Sequence, residues 1–198
     1  AQHLNQYDVI YLNMQQFLIE ADDGRVTEYL TQEVLTELKK TYGELLDLKG
    51  MGLARALREI FVQTDHQFIF LIDEWDCLMR ERQQSEEMQK QYLDFLRNLL
   101  KDQEFVALAY ITGILPVKKY GLHSALNMFR EFSMTDQADF EEYTGFTEKE
   151  VRSLCERFGM DFAETGSWYD GYSFTRFQHV YNPKSVVEAM RRRRYSNY

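Results

Sequence analysis

Long apolar runs, proline and cysteine are the features that this sequence has least of. No stretch of about 18 consecutive apolar residues occurs, so a membrane-spanning helix is not expected. Only 2 prolines and 10 glycines occur among 198 residues, which excludes collagen-like and other low-complexity segments. The 2 cysteines, Cys77 and Cys155, are too few for a disulfide framework, and we therefore expect a reducing, cytoplasmic compartment.

Acidic residues outnumber basic residues by 32 to 23, which gives a formal net charge of -9. Such a surface repels phosphate backbones, so direct binding of nucleic acid is not expected. The consecutive arginines of Arg191–Arg194 are the exception, and we interpret them as a solvated loop. Apolar residues (44%) and aromatic residues (15%) are plentiful, and they are sufficient for a sizeable core.

Three apolar runs predict the strands of a parallel sheet. They cover residues 7–14, Phe68–Asp73 and residues 105–112. Phe68–Asp73 is apolar without interruption up to its acidic end, which predicts a strand buried on both faces. Apolar residues at helical spacing predict helices at residues 27–46, 51–63 and 85–101, so strands and helices alternate. This alternation is typical of an α/β fold with a parallel sheet flanked by helices.

The composition changes near Asp136, where an acidic segment begins. Thr147 and Glu150 have the spacing of a capping box ahead of a helix, and Gly159 follows as a C-terminal cap. Asn182 precedes a proline and predicts the start of another helix. We therefore predict a core of residues 1–135 and a small, mainly helical lobe of residues 136–198.

The most informative chemical feature is the pair of carboxylates, Asp73 and Glu74, at the end of an apolar strand. In P-loop nucleotidases one carboxylate of this second (Walker B) motif holds magnesium, while the next polarises the attacking water. The following strand ends in Thr112, a small polar residue at the place where that architecture senses the terminal phosphate. The alternative interpretation is a strand that simply ends in solvated acids.

Further motifs follow in a fixed order. An opening DVIYLNMQQFL is followed, from residue 70 to residue 190, by FLIDEWD, ITGILPVKKYGLHSALNMFREFSM, GFTEKEV, WYDGYSF and YNPKSVVEAM. This ordered set resembles the predicted AAA-ATPase-like family of bacteria and archaea. The resemblance implies a P-loop NTPase fold, with ATP and Mg²⁺ as cofactors. It also implies a module that is often followed by a nuclease-like domain of the PD-(D/E)xK type.

The resemblance also implies roles for individual residues. It makes Asp73 the magnesium carboxylate, Glu74 the catalytic base and Thr112 the polar end of the sensor strand. Further nucleotide contacts are implied in the polar segment after that strand, at Ser124, Asn127 and Arg130, followed by Glu131. Arg130 is also a candidate for completing a site across subunits. The WYDGY motif corresponds to residues 168–172, which we interpret as a tight turn whose aromatic rings pack the lobe on the sheet.

One departure from the family pattern concerns the phosphate loop. No G-x-x-x-x-G-K-[ST] motif occurs, and Gly52 is followed by Leu53 and Ala54 where that motif has lysine and serine or threonine. That loop supplies the backbone N–H groups and the lysine that bind phosphates. We therefore interpret the chain as a truncated P-loop NTPase that lacks its first strand. We expect it to be inactive as given, with nucleotide and an unknown protein client as partners of the longer parent.

The missing strand would leave residues 105–112 at an open apolar edge. We expect that edge to pair with residues 129–134, a weaker strand candidate, with a partner chain in an oligomer, or with residues outside this sequence. A different class of function is a non-catalytic interaction module on a nucleotidase fold. A metal-dependent nuclease using Asp73, Glu74 and Asp76 is a weaker alternative, because the E-x-K lysine is absent and Asp76 and Cys77 suit a structural role in the turn.

Overall fold

Three parallel strands form the centre of the first of two compact units, which comprise residues 1–130 and 131–198. The computed structural model describes residues 3–21, 25–43, 47, 50–81, 85–117 and 126–198. The elements of the first unit are, in chain order, β1 (Asp8–Asn13), α1 (Met14–Glu20), α2 (Val26–Tyr42), α3 (Leu53–Thr64), β2 (Phe68–Asp73), α4 (Cys77–Arg80), α5 (Glu86–Leu100) and β3 (Val106–Ile111).

The sheet has the strand order β1–β2–β3, with both pairs parallel, so the predicted α/β class is confirmed. Asn13 lies opposite Asp73 at the carboxyl edge. The backbone pairing continues beyond the strands, because the Thr112 N–H donates to the Ile72 carbonyl at 2.9 Å. The Trp75 N–H in turn donates to the Thr112 carbonyl at 3.0 Å. These bonds bring the residues that follow β2 and β3 to the same edge.

Helices pack on one face of this sheet. Along α2, apolar side chains at four-residue spacing form a buried stripe of Leu30, Val34, Leu38 and Tyr42. The sheet contributes to the same core side chains that are at most 1% exposed, namely Leu12, Phe68, Phe70 and Ile72. Full burial of a side chain of this size stabilises the folded state by about 1.5–3 kcal/mol. This core fixes the three strands against the helices.

No element in the described residues covers the opposite face of the sheet. Its side chains form two cross-strand rows, Val9–Ile69–Leu108 and Tyr11–Leu71–Tyr110. We call these six residues the open face; Val9, Tyr11, Leu108 and Tyr110 are each more than half exposed. The prediction that β2 is buried on both faces was therefore wrong. Its buried side chains alternate with partly exposed ones, because its second face is apolar but lies under no described helix.

Residues 129–134 do not form the predicted strand. Ser133 and Asp136 instead form an isolated antiparallel bridge, with a backbone hydrogen bond of 3.0 Å in each direction. The Ser133 hydroxyl also accepts from the Thr135 N–H at 3.3 Å. Short polar side chains of this kind stabilise turns in competition with strand pairing. Within the described chain, β3 therefore pairs with β2 alone.

The second unit combines helices with a small antiparallel sheet of order β4–β6–β5. The elements follow a 3₁₀ helix at Ala138–Tyr143 and are β4 (Phe146–Thr147), α6 (Glu148–Phe158), α7 (Phe162–Tyr169), β5 (Asp170–Tyr172), β6 (Val180–Tyr181) and α8 (Pro183–Arg192). The predicted capping box of Thr147 and Glu150 is confirmed, as are the left-handed cap at Gly159 and the N-cap at Asn182.

Two local predictions in the second unit were wrong. Asp170–Tyr172 is not a tight turn but a short strand that pairs with β6, where neighbouring backbone groups satisfy its hydrogen bonds. The arginine run is not wholly a loop, because Arg191 and Arg192 form the last turn of α8. Both pair there with Glu188, at 2.7 and 2.8 Å, which also lowers the pKa of that carboxyl. No helix in the described segments is long and apolar enough to span a membrane.

The two faces of the sheet predict different responses to truncation. We expect Phe70→Ala to lower the free energy of unfolding by about 3–5 kcal/mol, because it empties a buried core position. Leu108→Ala on the open face should change it by no more than about 1 kcal/mol. Urea unfolding followed by circular dichroism measures both values. Equal losses would mean that the open face is covered in solution.

The ion pair between His179 and Asp170 predicts a pH dependence in the second unit. The two side chains meet at 2.6 Å, and this hydrogen bond raises the pKa of His179 above its usual value of about 6.5. The stabilisation is complete at lower pH and disappears as pH rises through the raised pKa. In a proton NMR titration, Asp170→Asn should lower the His179 midpoint. Glu156→Gln, an exposed change elsewhere, should leave it in place.

Candidate functional site

The carboxyl edge of the sheet brings together two of the residues predicted from the sequence. The Thr112 hydroxyl donates a hydrogen bond to Asp73 Oδ1. The other carboxylate oxygen of Asp73 accepts a longer bond of 3.4 Å from the Tyr11 hydroxyl. Tyr11 was not predicted from the sequence. It lies two residues before Asn13, the partner of Asp73, so its side chain points to the same face of the sheet, and this spacing could have identified it. Asp73 thus lies between hydroxyl donors from both neighbouring strands.

Glu74 occupies a sharp bend directly after β2. Its backbone adopts φ +56°, a left-handed conformation that costs a residue other than glycine about 1–3 kcal/mol. Its partly exposed carboxylate forms an ion pair with the guanidinium of Arg80, the last residue of α4. Sequence reasoning missed Arg80, because α4 has only 4 residues and shows no periodicity. The ion pair with Arg80 thus holds the Glu74 carboxylate against α4.

Asp76 holds the turn from the inside, as predicted. The side chain is fully buried, and its Oδ2 accepts from the N–H groups of Ile114 and Leu115 at 3.1 and 2.8 Å. Arg80 Nε lies 3.2 Å from the same oxygen. The two hydrogen bonds and the Arg80 ion pair replace part of the water shell that a carboxylate loses on burial, although Oδ1 has no hydrogen-bond partner among the described residues. The Asp76 side chain therefore connects the turn after β2 to the loop after β3.

Buried neighbours fix the same turn. The Tyr92 hydroxyl on α5 donates to the Trp75 carbonyl at 2.8 Å. Burial raises the pKa of Tyr92 well above its usual value, so the hydroxyl stays protonated as a donor. Burial also raises the pKa of Cys77 to about 12, so its thiol is neutral and serves in packing.

Gly113 is required by close approach between the two loops. A Cβ atom at this position would lie 2.6 Å from Asp76 Oδ1 and 2.6 Å from Trp75 Cδ1. Real side chains do not tolerate such distances without movement of a neighbour, and both neighbours are buried. Thr112 thus supplies a hydroxyl to Asp73, and Gly113, which has no side chain, leaves room for the side chains of Trp75 and Asp76.

The remaining predicted nucleotide contacts are not part of this cluster. Asn127 Oδ1 accepts a hydrogen bond from Lys101 Nζ at 2.9 Å. Lys101 lies in the segment that leads into β3, so this contact is at the other end of the strand from Thr112. Arg130 is exposed and ends the first unit. Ser124 lies outside the described residues.

The donor set restricts what kind of metal could bind here. Among the described residues, no group of three or more histidine, cysteine, aspartate or glutamate side chains is placed to hold a metal ion. Mg²⁺ is commonly held by one or two carboxylates, with phosphate oxygens and water completing its shell. Asp73, with the Thr112 hydroxyl beside it, fits this mode and does not fit an all-protein metal cage.

Sequence comparisons relate the chain to a known family and to a curated relative. The sequence model of a family described as AAA-ATPase_like, a predicted AAA-ATPase, matches residues 1–123. A curated relative, the "Uncharacterized protein in vnfD 5′ region" of Azotobacter chroococcum mcd 1, is 26% identical over 190 residues. The match covers 89% of this chain and 34% of the relative, so the chain spans about a third of that protein. No solved structure matches the chain significantly.

Substitution of Gly113 tests whether the loop contact holds the site together. We expect Gly113→Ala to lower the free energy of unfolding by about 1–3 kcal/mol, because the added methyl group meets buried Asp76 and Trp75. Gly52→Ala is the matched control, since nothing lies within 4 Å of its Cβ position, and it should change the value by about 1 kcal/mol or less. Urea unfolding of the two variants measures the difference. Equal effects would contradict the close approach.

Proposed function

The chain belongs to the AAA-ATPase-like family, and we propose that it is the part of a P-loop ATPase that carries the magnesium and water-activating carboxylates. In this proposal a segment outside the sequence supplies the phosphate loop, and the longer parent protein binds and hydrolyses ATP. The observation that carries the proposal is the Thr112 hydroxyl bonded to Asp73, with Glu74 next in the chain. Ligands of parallel α/β sheets bind at this edge.

Each carboxylate has a separate task in the proposed reaction. Asp73 would hold Mg²⁺ through the carboxylate lone pairs that its two hydrogen bonds leave free and through bound water. The ion would neutralise charge on the phosphates. Glu74, which forms an ion pair with Arg80, would orient the attacking water and accept its proton. Thr112 would turn its hydroxyl from Asp73 toward the terminal phosphate. Phosphate contacts by Ser124 and Arg130 are proposed from the family resemblance alone. The same contact by Asn127 is not proposed, because that side chain bonds to Lys101 at the other end of β3.

The open face and the unpaired side of β3 give the proposed segment a place to bind. Parallel sheets of α/β proteins are ordinarily covered by helices on both faces. The apolar rows of the open face, which end beside Asp73, lack such a cover in the described chain. We propose that the strand before the phosphate loop pairs with β3 and that the helix after the loop packs on the open face.

A non-catalytic interaction module is the second candidate function. The observation that favours it is the ion pair of Glu74 with Arg80, which occupies the carboxylate that a hydrolase needs for water. The absence of a G-x-x-x-x-G-K-[ST] motif from this sequence points in the same direction. In this case the nucleotidase fold would serve as a scaffold for a protein client.

ATP hydrolysis by the longer parent protein distinguishes the two candidates. We expect Glu74→Gln to lower magnesium-dependent turnover by at least about 100-fold, because general-base catalysis contributes that much, while ATP binding persists. The matched control is Glu104→Gln, an exposed carboxylate ahead of β3 at the opposite end of the sheet, which should leave turnover unchanged. Phosphate release measures turnover, and a fluorescent ATP analogue measures binding.

Two results would overturn the ATPase proposal. Absence of ATP binding by the parent protein would leave Asp73 without a ligand and favour the interaction module. Unchanged turnover in Glu74→Gln would remove Glu74 from the reaction. The 198-residue chain alone is expected to bind no ATP appreciably, since the phosphate cradle is missing from it.

A further inference from the structure

A groove of about 510 Å³ runs along the outer edge of β1. One wall is β1 itself, and the other is the facing surface of α2, including Glu33, Val34, Glu37 and Leu38. We call this feature the β1 groove. Its volume lies in the range of sites that hold peptides and small ligands.

The strand wall offers backbone hydrogen bonds. The Asp8 N–H donates inward to the Gln67 carbonyl at 3.4 Å, ahead of β2. Because backbone groups alternate in direction along a strand, the N–H and carbonyl groups of Val9 and Tyr11 point outward, into the groove. No strand in the described residues pairs with this side of β1. An open edge of this kind is a template for another extended chain.

The other surfaces of the groove define the chemistry of that chain. Val34 and Leu38 belong to the apolar part of its lining, and both side chains are mostly buried in the core. The carboxylates that line the groove are those of Asp8, Glu20, Glu33 and Glu37, and no lysine or arginine is among its described lining residues. Lys40 pairs with Glu37 from outside the lining, whereas Glu20 and Glu33 form no ion pair among the described residues. A chain that enters this groove therefore meets apolar contacts and a net negative charge.

We propose that the β1 groove binds an extended segment of a protein partner that carries alternating basic and small apolar side chains. The segment adds to the sheet beside β1, as peptides do in other proteins that extend a sheet edge. A second copy of this chain does not fit, because two such grooves would bring eight like-charged carboxylates together, four from each copy. The inference concerns the opposite edge of the sheet from β3 and does not depend on ATP hydrolysis.

Synthetic peptides test the proposal on the 198-residue chain. The probe is acetyl-Lys-Val-Lys-Val-Lys-Val-Lys-amide, and the matched control replaces each lysine with glutamate. We expect measurable binding of the lysine peptide by isothermal titration calorimetry, weaker at high salt, and none of the glutamate peptide. Two further probes carry N-methyl groups, one on all lysine amides and the other on all valine amides. Because alternate amides of an added strand face β1, N-methylation of one set should lower the affinity about tenfold or more. N-methylation of the other set should leave the affinity unchanged.

Variants on α2 locate the binding site. Glu33→Lys should weaken the lysine peptide by about fivefold to tenfold at low salt, because it reverses a charge in the groove. Glu28→Lys is the matched control, since Glu28 is exposed on the same helix and does not line the groove. Circular dichroism checks that both variants fold. Peptide binding that is unaffected by Glu33→Lys would overturn the assignment to this groove.

Three other outcomes would also overturn the proposal. Failure of the lysine peptide to bind would remove the groove as a site for basic segments. Equal affinity of both N-methylated probes would mean that binding is electrostatic and does not involve strand addition. A dimer of the chain that excludes the lysine peptide and is altered by Glu33→Lys but not by Glu28→Lys, as measured by analytical ultracentrifugation, would assign the groove to a second copy.

Discussion

The buried carboxylate of Asp76 is the interaction on which the candidate site depends. It accepts hydrogen bonds from the loop after β3 and lies against Arg80, which also pairs with Glu74. One charged group thus joins the β2 turn, α4 and the β3 loop. Burial of a carboxylate is unfavourable by several kcal/mol unless donors surround it, so loss of this geometry would leave an uncompensated charge in the core.

Among the described residues, helices cover one face of the sheet only, and the places proposed for binding other chains follow from this. The helices complete the core on the side of Phe70 and Ile72, while the open face and the outer sides of β1 and β3 remain accessible in the described chain. The two edges differ in chemistry. β3 borders the apolar rows that lead to Asp73, whereas β1 borders a groove ringed by carboxylates. The proposed phosphate-loop segment and the proposed basic segment therefore occupy separate edges.

Much of the fold could be predicted from the sequence, and the exceptions have physical causes. The three strands are continuous apolar runs, α2 and α5 have clear helical periodicity, and the caps at Thr147 and Asn182 depend on local chemistry alone. The antiparallel sheet of the second unit was not predicted, because strands of two or three residues are too short for an alternating pattern. Residues 129–134 were misassigned because a polar turn at Ser133 outweighed their apolar side chains.

For the candidate site, the sequence by itself determined that Asp73, Glu74 and Thr112 end neighbouring parallel strands, since the carboxyl ends of such strands share one edge. Only the tertiary structure decided which side chains surround them. Tyr11 reaches Asp73 from β1, 62 residues away along the chain, and Arg80 reaches Glu74 from a helix too short to predict. Nor does a sequence pattern reveal that one face of the sheet is left open. The sequence of a strand shows which of its side chains are apolar and which of them share a face. The position of the helices decides which face is buried.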